Sequence, residues 1–332
     1  MEQKKDIEEI TQEETNHIER PYAVEMESTP KGRALSEMIY RFTNDFKIGK
    51  RVKSGELRKK LDEIEPEWKV PEEYNMTHID TEHFSMKLLS PKKNPNMDKV
   101  VLQLHGGGYV AKIRNAYYNL AVFYSERSKG GCVLTPDYRV APEDPFPAAL
   151  EDAVASYEWL LQRGYAGEQI VLVGDSAGGG LAMALTMYLR DNHMPLPCGI
   201  VAMSPWTDVS ASGESYEKNF EIDPLFGNTK DSLIYLSDYA GAHDKTEPYI
   251  SPAFGDFTDF PPMLIQVGSH EMLLSDSLTV TEKARAKGRK VRLSIYEDMF
   301  HVFQLSGMLI PESKKAWSEV EKFFEIMMDE EI

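Results

Sequence analysis

Two cysteines in 332 residues, Cys132 and Cys198, are too few for a disulfide framework, and each lies in an apolar, strand-like stretch suited to a buried thiol. Cations are also in short supply: 37 Lys and Arg face 54 Asp and Glu, a formal net charge of -17. Phosphate backbones require clustered Lys and Arg, so nucleic acid is excluded as a partner and a strongly anionic substrate is disfavoured. Nowhere do about 18 apolar residues run together, as a membrane span needs. The polar, acidic start contains no apolar leader-like stretch either, so a soluble, cytoplasmic protein is expected. The eight histidines lack HExxH spacing and only two thiols are present, so neither a metal nor a cofactor is predicted.

What the chain does contain is enough apolar material, 42% of its residues, for one large core with room for an added cap. Strand-like runs recur at 83–89, 100–104, 132–135, 170–173, 200–203, 263–267 and 291–296, with helical patterns such as 148–163 and 181–190 between most of them. That alternation predicts an α/β fold whose parallel strands are joined by crossover helices. The interval 206–262 is longer than a simple crossover and rich in Tyr, Phe and Pro, which marks an inserted segment. Residues 1–30 are charged and aperiodic and read as a loosely held arm. After them Leu35, Met38, Ile39, Phe42 and Phe46 fall at helical spacing and form one apolar stripe.

The most informative stretch is Gly174-Asp175-Ser176-Ala177-Gly178, because it follows the apolar run 170–173 and precedes a helical pattern. A G-x-S-x-G pentapeptide in that setting reads as a nucleophile elbow: small residues let strand and helix backbones approach, and the serine hydroxyl is held out at the end of the sheet. On its own the pentapeptide is equally an ordinary Gly-rich turn. Upstream, the run 100–104 leads straight into His105-Gly106-Gly107-Gly108-Tyr109, glycines that can aim backbone N–H groups at one spot. A phosphate-cradling loop would need Lys-Ser or Lys-Thr after its glycines, and none follows here.

With these motifs in place, the chain resembles the hormone-sensitive-lipase-like branch of the α/β-hydrolases, a family that includes bacterial carboxylesterases. Four blocks carry the resemblance, in the family's order: HGGGYV from His105, DYRVAPEDPFPAA from Asp137, GDSAGGG from Gly174 and MFHVF from Met299. The resemblance implies an α/β-hydrolase fold, a mostly parallel central sheet flanked by helices, with a helical cap. It also implies the division of the chain. An N-terminal arm and cap helices would occupy 1–75, a catalytic core 76–205 and 259–332, and an inserted cap segment 206–258. The helix carrying Leu35 and Ile39 would belong to the cap; its plainer alternative is a helix packed on the far side of the core.

The family's chemistry would run through Ser176 as nucleophile, His301 as general base and an acid after the strand-like run 263–267. Glu271 is the first choice for that acid, although many relatives have Asp-Pro-Leu where this chain has Glu271-Met272-Leu273; Asp276 and Asp298 stay open as alternatives. The oxyanion would be received by N–H groups of Gly107, Gly108 and Ala177. Asp175 and His105 are assigned bracing roles, as are Tyr138, Arg139 and Glu143, for the last two of which an exposed salt bridge is the simpler reading. Tyr109, Trp206 and Phe226 are candidate pocket walls, with core packing as the alternative for each. The implied partner is a small-molecule ester, most simply a short-chain acyl ester; a homo-oligomer is compatible with the sequence. An amidase or an acetyl-transferring enzyme on the same triad is a second reading. A non-catalytic ligand-binding member is a third, and the presence of His301 argues against it.

Overall fold

The computed structural model describes residues 23–46, 60 and 64–329. The arm over 1–22, and the part of the expected cap region over 47–59, lie outside the described residues.

One eight-stranded sheet organises the described chain, with strand order β1-β2-β4-β3-β5-β6-β7-β8. The strands are β1 Tyr74–Asp80, β2 Ser85–Pro91, β3 Asn96–Leu104, β4 Gly131–Asp137, β5 Ile170–Asp175, β6 Gly199–Met203, β7 Met263–Gly268 and β8 Val291–Tyr296. The β1/β2 and β2/β4 pairs are antiparallel, and every later pair is parallel. The first strand carries no continuous apolar run, and its pattern of exposed and half-buried residues explains why sequence periodicity passes over it.

The central strands read as unbroken apolar runs because both faces of the sheet are covered. Alternation still operates within them. Ile170 and Leu172 of β5 enter a core shared with helices α3 (Ala148–Gln162) and α4 (Ala177–Asp191), through Leu150, Leu160, Leu181 and Leu185. Val171 and Val173 enter the opposite core, with Leu120 and Tyr124 of α2 (Asn115–Arg127) and Trp317 and Phe324 of α6 (Pro311–Asp329). Helix α5 (Leu274–Ala286) crosses between β7 and β8.

The chain passes from β3 to β4 on one side and then returns to place β5 on the other side of β3. Loops leaving β3 and β5 therefore diverge and open a crevice at their carboxyl ends, the position where open α/β sheets bind ligands. The triple glycine follows β3 and the serine follows β5.

Helix α1 (Pro30–Phe46) forms where the apolar stripe predicts, but only part of the stripe is covered. Leu35 and Ile39 pack against Met299, Phe300 and Phe303, whereas Met38 is 61% and Phe42 56% exposed. The helix lies beside the inserted segment: Tyr40 Oη donates to Glu221 O at 3.2 Å and Thr43 Oγ1 to Pro224 O at 2.5 Å. The end of the expected loose arm is held firmly. Met26 forms a parallel bridge with Tyr296 on the outer edge of β8, Glu25 N–H donates to Ile295 O, and Ser28 Oγ donates to Asp298. The segment 206–258 is largely irregular, with helical turns at Ser215–Lys218 and Leu233–Leu236. Cys132 is buried and Cys198 only half-buried, and both are free thiols.

Candidate active site

Ser176 sits between β5 and α4 with φ 53° and ψ -123°, a left-handed conformation that a non-glycine residue adopts only when its surroundings hold it there. Two backbone bonds do so: Ser176 N–H donates to Met203 O at 2.9 Å, and Trp206 N–H donates to Ser176 O at 2.8 Å. Its hydroxyl does not cap the helix. Gly178 shows why the turn demands a small residue, since a Cβ there would lie 2.0 Å from Leu104 O. Ala177 is the first residue of α4, so its N–H has no intrahelical acceptor and lies at the positive end of the helix dipole.

The loop after β3 is bent by Gly107 (φ 118°) and Gly108 (φ 62°), values that open this backbone path to glycine. It is braced at its base. Gly106 N–H donates to Tyr117 Oη at 2.9 Å and to Asp175 Oδ1 at 3.1 Å, while Tyr117 Oη donates to Asp175 Oδ2 at 3.0 Å. Asp175 thus fastens the glycine loop to the serine elbow. Burial raises its pKa to about 6, and the Tyr117 hydroxyl, the charge of His301 and the Gly106 N–H restrain that rise.

His105 stacks on Tyr138 with ring centroids 4.0 Å apart, and Tyr138 Oη donates to His105 O at 2.6 Å. Burial holds the His105 pKa down at about 4, and Nδ1 lies 2.8 Å from Gly106 O. A carbonyl only accepts, so the proton sits on Nδ1 and the ring is a neutral brace. Arg139 is drawn to Asp152, which its guanidinium grips at 2.7 and 3.0 Å, and to Glu151.

Glu271 and His301 meet where the turns after β7 and β8 come together. Glu271, fully buried in the turn after β7, accepts from His301 Nδ1 through Oε2 at 2.8 Å; its Oε1 accepts from Ser204 Oγ at 2.7 Å and Gly268 N–H at 2.5 Å. With Nδ1 donating to a carboxylate, the neutral imidazole keeps its lone pair on Nε2. Ser204 also accepts Val302 N–H at 3.1 Å. The segment 203–206 therefore touches Ser176 on one side and the Glu271–His301 pair on the other.

The alternative acids are occupied elsewhere. Asp276 Oδ2 accepts Thr207 N–H at 2.6 Å and Asp208 N–H at 2.8 Å, and its Oδ1 lies 2.9 Å from Tyr216 Oη, which can take a proton from it. Asp298 pairs with His270 at 3.2 Å and accepts from Ser28.

Of the three candidate wall residues, Phe226 reaches His301, with ring centroids 4.8 Å apart. Tyr109 and Trp206 are each 1% exposed; Tyr109 stacks on Tyr239 at 3.6 Å and lies 6.1 Å from Trp206, in an aromatic cluster of the core. The inserted segment also covers the glycine loop: Ser237 Oγ donates to Gly108 O at 3.0 Å, and the Leu233 side chain fills the space that a Cβ on Gly108 would occupy.

Sequence reasoning passed over Ser204, Asn219 and Asp223. Asp223 caps its own turn by accepting Leu225 and Phe226 N–H, which an Asp-Pro pair can signal. Its bond to Met272 N–H, 49 residues away, has no local signal. Among the described residues no group of three or more His, Cys, Asp or Glu is arranged to hold a metal, and no helix is long and apolar enough to cross a membrane.

This arrangement supplies a hydroxyl on a tight elbow, an imidazole oriented by a carboxylate, and backbone donors on two adjoining loops. The chain is also similar to known proteins along most of its length. A family described as the alpha/beta hydrolase fold matches residues 101–305. An acetyl-hydrolase from Streptomyces hygroscopicus is 38% identical over 218 residues, covering 66% of this chain and 72% of that protein. Among solved structures, EstE5 soaked with p-nitrophenyl butyrate superposes with a TM-score of 0.78 at 30% identity, covering 90% of this chain and 99% of that one. An esterase of the bacterial hormone-sensitive lipase family gives 0.75 at 32% identity, covering 91% and 100%.

Proposed function

Since the chain belongs to the hormone-sensitive-lipase-like family of α/β-hydrolases, we propose that it is a serine carboxylesterase that hydrolyses short-chain acyl esters through an acyl-enzyme intermediate. The observation that carries this reading is the 2.8 Å contact between His301 Nδ1 and Glu271, set beside the 203–206 segment that also anchors Ser176. His301 Nε2 takes the proton of Ser176 as Oγ attacks the ester carbonyl. The oxyanion is received by N–H groups of Gly107, Gly108 and Ala177. Collapse of the tetrahedral species breaks the carbonyl carbon to alkoxy oxygen bond, and the alcohol departs with the proton returned by His301. Water then adds to the acyl-serine with the same base, and acid and free serine are released.

The short acyl preference is supported by the Phe226 ring at His301 and the Leu233 side chain at Gly108, which crowd the crevice from the inserted segment. We read 206–258 together with α1 as the cap, from these contacts and those of Tyr40 and Thr43. Free thiols and the acidic surface fit a cytoplasmic enzyme.

The test is turnover of p-nitrophenyl esters from acetyl to dodecanoyl, together with fluorophosphonate labelling. Wild-type protein should favour acetyl and butyryl esters and be labelled at Ser176, and Ser176→Ala should abolish both signals while melting like the wild type. Unaltered turnover in that variant would eliminate the assignment.

A further inference from the structure

Asp223 lies on the inserted segment, outside the triad, and is 1% exposed. Its Oδ2 accepts Met272 N–H at 2.7 Å; its Oδ1 accepts Leu225 N–H at 2.8 Å and Phe226 N–H at 2.9 Å. Met272 directly follows Glu271, and Phe226 bears the ring packed on His301. One carboxylate thereby joins the turn that presents the acid to the ring that rests on the base.

Asn219 completes the grip. Its side-chain amide donates to Ser269 O at 2.9 Å and to Glu271 O at 2.7 Å. The peptide unit between Glu271 and Met272 is therefore held at both polar atoms, the carbonyl by Asn219 and the N–H by Asp223. A fully buried carboxylate that must meet an imidazole at 2.8 Å depends on where its backbone sits, and a displacement near 1 Å at a reacting constellation costs about 100-fold in rate.

The charge of Asp223 acts in the same direction. Burial raises its pKa, while the N–H groups of Met272, Phe226 and Leu225 and the charge of His301 pull it back. Three backbone donors and no acceptor in that set suit an ionised carboxylate. The acidic groups facing His301 are then Glu271 in direct contact, with Asp175 and Asp223 at longer range.

We propose that Asp223 and Asn219 are positioning residues for ester hydrolysis: they clamp the Glu271–Met272 peptide from the inserted segment and so set the acid against His301. This rests on the Ser176–His301–Glu271 reading above. Asparagine at position 223 keeps the volume but offers a single oxygen, so its amide group must face either Met272 N–H or the Leu225 and Phe226 N–H pair, donor against donor.

The experiment measures kcat, KM and the pH profile of kcat/KM for p-nitrophenyl acetate in the full chain carrying Asp223→Asn or Asn219→Ala, with thermal melts, and Ser176→Ala as control. Both variants should lose kcat roughly 10- to 100-fold, in line with a misplaced catalytic group, while KM changes little. The acid limb of the profile should move to lower pH in both, and further in Asp223→Asn, because the imidazolium is less well supported. A kcat within twofold of wild type in a folded variant, or a kcat loss with the acid limb unmoved, overturns the proposal. Should Asp223→Asn fail to fold, Asn219→Ala decides by the same criteria. Wild-type turnover that survives Ser176→Ala would instead sink the triad reading itself, which keeps the two failures distinct.

Discussion

Glutamine in place of Glu271 alters charge and hydrogen-bonding sense with almost no change of volume at a fully buried side chain. Oε1 faces two donors, Ser204 Oγ and Gly268 N–H, while Oε2 faces His301 Nδ1. The Gly268 N–H cannot reverse its role, so the amide oxygen must take the Oε1 position and the NH2 group turns toward the imidazole. Nδ1 then has to accept, and the ring proton moves to Nε2, the atom that should receive the proton of Ser176. The imidazolium formed during attack also loses its carboxylate partner. The equivalent Asp→Asn change in a serine protease triad lowers kcat about 10⁴-fold, which corresponds to about 5.4 kcal/mol at 1.36 kcal/mol per tenfold.

Glu271→Gln should lose activity on that scale. The contact between His301 and the substituted side chain survives with donor and acceptor exchanged, so unfolding free energy should fall by no more than about 2 kcal/mol. Steady-state p-nitrophenyl acetate hydrolysis and a urea melt on the same preparation check both numbers. A kcat within tenfold of wild type, in protein with an unchanged melt, would refute the tautomer argument and with it the role given to Glu271.

Two further perturbations probe the loop after β3 and the buried carboxylate on α5. Gly108→Ala forces a side chain into a left-handed position whose Cβ would lie 2.3 Å from Leu233 Cδ2, so the oxyanion N–H should be displaced and kcat fall roughly 100- to 1,000-fold; undiminished kcat with acetate esters would remove Gly108 from that role. Burial, with the charge of Asp208 second, raises the Asp276 pKa to about 8. Below about pH 4 both folded and unfolded chains hold this proton, but between roughly pH 4 and 8 only the folded one does, so stability falls as pH rises through that window. Asp276→Asn removes the dependence, and its melting temperature relative to wild type should climb from pH 5 to pH 8; a constant difference would show that Asp276 is not protonated there.

The readable parts of this chain were those whose chemistry is local. Ser176 and the glycines at 106–108 are announced by short motifs, because an elbow and a bent donor loop each make steric demands on consecutive residues. The central strands were legible for a related reason: burial on both faces leaves an uninterrupted apolar run, whereas β1, exposed along much of one side, leaves none. The stripe of α1 was visible as a pattern, yet periodicity could not tell that Leu35 and Ile39 would be covered while Met38 and Phe42 remained largely exposed.

Sequence by itself determined the sheet-forming runs other than β1, the crossover alternation and the candidates for nucleophile, base and oxyanion donors. Tertiary structure decided which carboxylate pairs with His301: Glu271 and Asp276 are five positions apart, but the turn after β7 sends one to the imidazole and the first turn of α5 sends the other to the backbone of Thr207 and Asp208. It likewise assigned Asp223 to Met272 and Ser204 to Glu271. Such choices turn on which donor lies within about 3 Å of a buried oxygen, and that separation is fixed by chain segments dozens of residues apart folding against one another.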